Sequence, residues 1–565
     1  MDSTYFRHLS DSRYCFSIDE SHVLIRLAVS KLCPIDKAEI LYGDQFSFSH
    51  SRNTLNLEIK YEDQGYLYYQ TTVNLYPMRL MYVFKIYQNG KFYYLCETGI
   101  FDDFNFDLSF LSAYQFVGEN RIDYVLEKPS WKGRIFYQIF PERFAYRKDF
   151  LDKAYINTDW YEKNLYHRHG AFLGGDLYGI IDKLDYLEDL GVNALYLTPV
   201  HPSMSNHKYD VLDYFEVDPH FGGKEAFKLL IDKAHERGMK VMMDLVFNHC
   251  GAYNPIFMDV KQKGKESKYF DWFFIDGDKP NDWPLNYLCF AQARNMPKFN
   301  TNNRDLQDYL ISVGEYWMRD FGVDGYRLDV SEGVSHDFWI RFKLALMRIN
   351  PEVMLIGENW LNSESYLGNY QFDGVMNYPF LSCISGFLLK IKDAEGTALH
   401  LQQLLMRYKD GHDGMMLNIL ASHDIQRLRN LVGSKNLTLM GYAIMMFYLG
   451  YPMIYYGEEI FMEGGRDPDN RRGMEWNSQE FNSSYNLAFK ELIRLRKNEP
   501  LATGEISFNA DRGLLVINRF NSRQCLSLVC NMTDQAIDVE GKIILSNEYE
   551  NGLLKPHGFV VIKQK

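Results

Sequence analysis

The alternation of apolar and polar residues changes twice along the chain and so divides it into three regions. Up to about residue 128, short runs rich in β-forming residues, such as 23–29 and 80–88, are separated by turn residues. The dipeptide Asn89-Gly90 lies between two of these runs and is a strong signal for a β-hairpin. The pattern predicts an antiparallel β-sandwich for residues 1–128.

From Arg134 onward, short apolar runs alternate with amphipathic helical segments. One segment carries Phe227, Leu230, Ile231 and Ala234 at the i, i+3, i+4, i+7 spacing of a buried helical stripe. We identify eight strands, each followed by a helix, which predict a (β/α)8 barrel over residues 129–502. The predicted strands are 135–139, 194–197, 240–246, 325–329, 353–358, 374–377, 416–422 and 453–457.

Two further features complete the predicted multidomain α/β fold. A polar and aromatic insertion at about 251–303 separates the third strand from its helix, on the side of a barrel where insertions often build the substrate site. Near the C-terminus the β-type alternation returns, and it predicts a small β domain at 503–565. We interpret residues 129–133, with the sequence Pro-Ser-Trp-Lys-Gly, as a linker after the N-terminal domain.

The net charge and the cysteine spacing indicate which partners and which cellular compartment to expect. The formal net charge of −13 argues against nucleic acid or an anionic membrane as the main partner. The sequence has no apolar run long enough to span a bilayer, and its first residues lack a secretory pattern. The eight cysteines show no metal-binding spacing, which indicates buried thiols in a reducing compartment. We expect a cytoplasmic protein.

Polar side chains cluster where the predicted barrel strands end, which is the functional face of such a barrel. An aspartate at a strand end is often only a helix cap, but here several strand ends carry polar groups together. They are Asp244, Asn248 and His249 after strand three, Arg327 and Asp329 on strand four, Glu358 on strand five, and His423 and Asp424 after strand seven.

This set is suited to cleavage of a glycosidic bond. A retaining mechanism needs two carboxyl groups about 5 Å apart, and neighbouring strands lie about 4.8 Å apart. We predict Asp329 as the nucleophile, kept ionised by Arg327 two residues earlier on the same strand face. Glu358 is the predicted acid and base, and Asp424 is predicted to bind sugar hydroxyls and strain the ring.

The strand-end segments resemble the signature regions of the α-amylase superfamily of glycoside hydrolases. Met296-Pro297-Lys298-Phe299-Asn300 resembles a fifth region found in the subgroup of neopullulanases, cyclomaltodextrinases and maltogenic amylases. The resemblance covers about residues 131–500 and implies that Tyr209 stacks under the cleaved sugar and Trp360 packs on the leaving-group sugar. It implies the following substrate-binding set: His207, Tyr209, Asn248, His249, Arg327, Trp360, His423, Asp467 and Arg471.

Many members of the superfamily hold a calcium ion near the first strand. In this chain Asp149, Asp152 and Asp176 remain as candidate ligands, but Arg147 and Lys148 lie among them and oppose a cation. We therefore expect no required cofactor. The subgroup's N-terminal module packs against the barrel mouth of a partner subunit, so the resemblance also implies a homodimer through residues 1–128.

These features predict a retaining hydrolase of α-1,4 bonds in cyclodextrins and maltooligosaccharides, with pullulan as a further candidate. One alternative is a glucan transferase or an oligo-1,6-glucosidase on the same barrel, the latter disfavoured by Met296-Pro297-Lys298. Another is a non-catalytic carbohydrate-binding or transport-accessory relative. This chain differs from such relatives because it keeps Asp329, Glu358 and Asp424.

Overall fold

The computed structural model describes residues 2–125, 127–165, 169–360, 362–368 and 371–564. Its centre is a closed barrel of eight parallel strands that follow one another in chain order, with the first strand pairing with the eighth. The predicted (β/α)8 barrel is therefore confirmed. The strands are Phe136–Ile139, Ala194–Leu197, Lys240–Leu245, Gly325–Leu328, Met354–Gly357, Gly374–Asn377, Leu417–Asn418 and Tyr451–Tyr455.

Helices surround the barrel, and the predicted stripe on Gly223–Glu236 is buried against it. No helix of the described residues is both long and apolar enough to cross a bilayer. The α-helices of five or more residues are Leu177–Ile181, Leu184–Leu190, Gly223–Glu236, Pro255–Lys263, Arg304–Tyr316, His336–Ile349, Tyr378–Leu388, Ala394–Leu405, Leu428–Val432, Lys435–Phe447, Ser484–Arg496 and Glu499–Thr503.

The prediction of a helix after every strand is wrong for the fifth strand. Between Gly357 and Gly374 the described residues form turns and no helix. The ring of Phe372 in this loop packs against Tyr366 and against Trp339 of the preceding helix. The loop thus covers the flank of the barrel with aromatic side chains where a helix was expected.

The N-terminal region consists of two antiparallel sheets that enclose a common apolar core. The strand Lys37–Asp44 was not predicted, although its buried residues alternate with more exposed ones. One sheet contains Phe6–Arg7, Cys15–Ser17, His22–Ser30, Glu58–Glu62 and Tyr66–Asn74. The other contains Lys37–Asp44, Asn53–Asn56, Arg79–Gln88, Lys91–Cys96, Gly99–Phe101 and Tyr114–Val117.

The segment interpreted as a linker instead forms part of the barrel floor. Trp131 is completely buried, stacks on Phe136 of the first strand and donates a hydrogen bond of 2.8 Å to the carbonyl of Glu352. A buried tryptophan excludes water from the lower end of the barrel. The N-terminal domain is therefore joined to the barrel through a packed segment.

Both outer domains contact the barrel away from the strand ends that carry the predicted site. The buried Arg26 of the N-terminal domain pairs with Asp410, which precedes the seventh strand, at 2.6 Å. Arg519 of the C-terminal sheet donates to the carbonyl of Phe447. That sheet contains Glu505–Asp511, Leu514–Phe520, Cys525–Asn531, Ile537–Asp538, Lys542–Glu550 and Leu553–Lys563.

Candidate active site

The register of the barrel places the two principal carboxyl groups side by side. Leu328 and Gly357 are paired residues at the ends of strands four and five. The next residue on each strand is a predicted catalytic group, Asp329 on one and Glu358 on the other. Because the strands are hydrogen-bonded neighbours, their spacing of about 4.8 Å suits the pair to nucleophilic attack and proton transfer at one bond.

A single completely buried guanidinium group, that of Arg327, organises this part of the site. Its Nη1 donates to Asp329 Oδ1 at 2.8 Å and to both carboxylate oxygens of Asp244 at 3.0 Å. Its Nη2 lies 2.8 Å from Glu358 Oε2 and 4.0 Å from Asp424 Oδ2. One cation therefore contacts four carboxyl groups that would otherwise repel one another.

The charge balance of this cluster determines its protonation. Burial raises the pKa of Asp329 well above its ordinary value, Arg327 opposes that shift, and Glu358 and Asp244 reinforce it. Burial also raises the pKa of Asp244 to about 6, again opposed by Arg327. The sequence suggested that Arg327 keeps the nucleophile ionised. Arg327 does lower the pKa of Asp329, but burial and the neighbouring carboxylates raise it. The charges of the neighbouring carboxylates therefore act on one another, so that Asp329 and Asp244 titrate as members of a cluster.

The backbone after the nucleophile is held in an uncommon conformation. Val330 has a φ of 42°, in the left-handed region that β-branched residues rarely adopt. This conformation aims its N–H at Glu358 Oε2, 2.9 Å away. Gly357 is needed nearby, because a Cβ there would lie 2.5 Å from Phe372 and 2.9 Å from Ser331 Oγ. The strained backbone of Val330 therefore lies where it positions Glu358, the predicted acid.

His423 and Tyr209 form a neutral hydrogen-bonded pair beside the cluster. Gln138 donates to Nδ1 of His423 at 2.9 Å, so the proton of the imidazole lies on Nε2, 2.5 Å from the Tyr209 hydroxyl. That hydroxyl in turn donates to Asp244 at 2.9 Å. Burial lowers the pKa of His423 well below its ordinary value. The Tyr209 ring lies parallel to His423, where it can face a sugar ring.

Two other predicted binding histidines are also neutral. Burial lowers the pKa of His207 to about 4 and that of His249 to about 3. The side-chain amide of Asn248 contacts His249 Nδ1 at 3.2 Å. Nε2 of His249 has no hydrogen-bond partner among the described residues, although it lies beside the cavity. It is therefore available as a donor to a sugar hydroxyl.

Asn248 is buried beside the cavity, next to His249. Its carbonyl oxygen accepts a hydrogen bond from Lys298, and its amide group contacts His249. The ammonium group of Lys298 also donates to the carbonyl of Gly333, at 2.6 Å. Asn248 and Lys298 therefore connect the insertion to the loop that follows the nucleophile. The side chain of Asn248 is thus held by both neighbours, and its predicted contact with substrate stays a prediction.

The remaining predicted residues lie around the mouth of the cavity. Arg471 contacts Asp424 at 3.3 Å and Asp467 at 3.0 Å, so it orients both carboxylates. Trp360 is 44% exposed and stacks on Tyr378 with ring centres 4.0 Å apart. An exposed aromatic face held by a second ring is a preformed surface for a sugar.

The resulting cavity has a volume of about 440 Å³, within the range of small-molecule sites. Several lining residues were not assigned as site residues from the sequence, because segments distant along the chain bring them here. They are Arg143, His169, Phe290, Met296, Glu332 and Pro468. Asp244, Gln138 and Lys298 were also missed as supporting residues, although Asp244 and Lys298 stood in the motifs that were recognised.

The candidate calcium ligands do not converge. Asp176 caps the helix Leu177–Ile181 by accepting from Gly179 N, and it also accepts from Arg147 N. Asp152 lies 3.7 Å from His220. No group of three or more metal-binding side chains forms among the residues that the structure describes.

Comparison with known proteins agrees with this geometry. The sequence matches the model of the alpha amylase catalytic domain over residues 138–514, and that of the alpha amylase N-terminal Ig-like domain over residues 1–116. The chain belongs to the α-amylase family. The closed barrel and strand-end carboxylates of this family member are thus those of a glycoside hydrolase.

Three individual relatives within this family are similar to the chain over most of its length. The chain is 38% identical to neopullulanase 2 of Thermoactinomyces vulgaris over 519 residues, which is 89% of this chain and 86% of the relative. It is 36% identical to the intracellular maltogenic amylase of Bacillus subtilis over 522 residues, 90% of this chain and 87% of that protein. A solved cyclomaltodextrinase structure matches with a TM-score of 0.90 at 31% identity, covering 100% of this chain and 98% of the other.

Replacing Glu358 by Gln removes the proposed acid while preserving its shape. We expect kcat to fall by about 10² to 10⁴, measured with a substrate that has a poor leaving group. The matched control is Glu332→Gln, because Glu332 lines the same cavity but has no contact with Arg327. Its kcat should stay within about tenfold of the wild type. Activity of Glu358→Gln above about a tenth of the wild-type value would contradict the assignment.

Replacing Asp244 by Asn should shift the acid limb of the pH profile of kcat/KM. Because the charge of Asp244 helps to raise the pKa of Asp329, its removal lowers that pKa. The nucleophile then stays ionised to lower pH, and the acid limb moves to lower pH, although the maximum rate falls because Arg327 loses a partner. The exposed Asp213→Asn variant is the control and should leave the limb in place. A shift to higher pH would refute this account.

Proposed function

We propose that this enzyme is a retaining hydrolase of α-1,4 glucosidic bonds in cyclodextrins and short maltooligosaccharides, with pullulan as a further candidate. The names of its relatives, cyclomaltodextrinase, neopullulanase and maltogenic amylase, support this substrate class. The observation that carries the mechanism is the contact of Asp329 and Glu358 with the same guanidinium group, each at 2.8 Å.

The chemistry is a double displacement. Oδ2 of Asp329 has no hydrogen-bond partner among the described residues and is free to attack the anomeric carbon. Glu358 gives its proton to the glycosidic oxygen as that bond breaks, which leaves a glycosyl ester on Asp329. Glu358 then takes a proton from water, and the water oxygen attacks the same carbon to release Asp329. The sugar keeps its α configuration because the carbon is inverted twice.

Product analysis distinguishes this proposal from the three alternatives that the sequence leaves open. A glucan transferase would pass the glycosyl group to a sugar hydroxyl held near Trp360, and an oligo-1,6-glucosidase would cleave isomaltose. A non-catalytic relative would release no sugar at all from β-cyclodextrin, maltotriose, pullulan or starch.

We further propose that the enzyme is a symmetric homodimer in which each N-terminal domain covers the partner's cavity. The domain's own barrel contacts are made near Asp410, before the seventh strand and away from the strand ends that form the cavity. Its surface carries Phe46 and Tyr76, which are 76% and 77% exposed. Such exposed aromatics favour an interface, and twofold dimers are the commonest soluble oligomers.

A covered cavity should admit small rings and exclude polymeric starch. We expect kcat/KM on β-cyclodextrin to exceed that on soluble starch by at least about tenfold, since starch cannot form the covered complex. The double variant Phe46→Glu and Tyr76→Glu should become monomeric in light scattering, and the ratio should shrink. Leu487→Glu, which alters an exposed leucine on the helix Ser484–Arg496, is the control. A wild-type monomer that cleaves both substrates equally would refute the dimer.

Activity should not depend on calcium. Arg147 donates to Asp182 and stands beside Asp176, so a cation near the first strand would meet a guanidinium group. We expect the melting temperature and the hydrolysis rate to remain unchanged after dialysis against EDTA. A loss that calcium restores, and magnesium does not, would contradict this expectation.

We also propose a cytoplasmic location. The relative from Bacillus subtilis is named as intracellular. All eight cysteines are free thiols, which is the state that a reducing compartment maintains.

A further inference from the structure

A second cavity, of about 370 Å³, lies at the opposite end of the barrel from the active site. We call it the base cavity. It is formed where the three domains meet, and each domain contributes part of its wall. Representative lining residues are Tyr61 from the N-terminal domain, Leu405, Asp413 and Tyr451 from the barrel, and Gly504 and Arg519 from the C-terminal region.

The base cavity is lined by an acceptor that the protein does not use. The Asp413 carboxylate forms no hydrogen bond or ion pair with any residue that the structure describes. Its neighbour Asp410 differs, because it pairs with Arg26 at 2.6 Å. A half-buried carboxylate without a partner is costly, and it calls for a ligand or ordered water.

Two buried arginines line the same cavity. Arg496 and Arg519 are buried, and their terminal nitrogens donate to backbone carbonyls, including that of Tyr448 just after the helix Lys435–Phe447. These bonds explain why the two side chains are there. Each Nε–H nevertheless has no partner, and neither guanidinium contacts a carboxylate among the described residues. The two guanidinium groups thus place positive charge at the cavity wall, while their Nε atoms are themselves buried.

The combination selects the chemistry of the ligand. A bound anion would lie next to the carboxyl group of Asp413, and a bound cation would lie next to the guanidinium groups of Arg496 and Arg519. Both arrangements are unfavourable. A neutral molecule whose hydroxyl groups both donate and accept would satisfy all three. The apolar wall, which includes Leu405 and the ring of Tyr61, suits the C–H faces of a pyranose ring.

We propose that the base cavity binds a neutral sugar of one or two glucose units. The choice of glucose rests on the proposed function, because the active site would release molecules of this size. A ligand that touches all three domains stabilises their association and raises the unfolding temperature as its concentration rises. The site would thus couple the stability of the enzyme to its own product.

The test is a calorimetric titration of maltose into the Glu358→Gln variant, which does not consume the sugar. We expect two molecules bound per chain. Adding Asp413→Leu, which removes the free acceptor, should reduce the number to one. Adding Gly414→Trp should do the same, since a Cβ at Gly414 meets no atom within 4 Å and a larger side chain fills the space. The exposed Asp102→Leu change is the matched control and should retain both.

The outcomes separate this proposal from the proposed function. Trp360→Ala in the Glu358→Gln background should weaken binding at the active site only. If Asp413→Leu loses a bound maltose, the base-cavity proposal is supported. If Trp360→Ala does not weaken maltose binding, the assignment of Trp360 to the active site is contradicted, and the base-cavity proposal is unaffected. A single bound maltose in the parent variant, or two that persist in both base-cavity variants, would overturn the proposal. Circular dichroism of each variant establishes that it is folded.

Discussion

The active site depends on the burial of one cation among four carboxyl groups. The desolvation of a guanidinium inside a barrel is expensive, and only close, hydrogen-bonded counter-charges offset it. Arg327 meets that condition through Asp244, Asp329 and Glu358. The carboxyl groups in turn tolerate one another because the same cation lies between them. The contacts of this buried cation therefore also oppose the rise that burial causes in the pKa of the nucleophile.

Around that cation, the backbone fixes geometry that side chains alone could not. The register of strands four and five brings the two catalytic residues to equivalent positions. The left-handed conformation of Val330 then turns a backbone N–H toward Glu358, and Lys298 anchors the same loop through Gly333. The strained residue and its loop are held by these two contacts from other segments, as expected where a structure accepts a local cost for function.

The two ends of the barrel have different roles. The strand ends carry the chemistry, and their loops supply aromatic and charged groups around the cavity. The opposite end joins the three domains through buried charges such as Arg26 and Arg519. This separation lets the loops at the mouth vary while the contacts that hold the domains together remain. The base cavity lies within the second set of contacts, so its occupancy would act on stability before it acted on catalysis.

The sequence by itself determined the barrel, the antiparallel sheets beside it and the positions of the principal strand-end groups. These follow from short-range patterns: the spacing of apolar residues, turn residues such as Asn89-Gly90, and charges placed directly after strands. Only the tertiary structure decided how those groups interact. Packing between distant segments accounts for three features of the structure. Asn248 is hydrogen-bonded to Lys298, Trp131 packs at the floor of the barrel, and no helix follows the fifth strand in the described residues. The protonation of the catalytic cluster is decided there too, because it depends on burial and on four charges gathered from different strands.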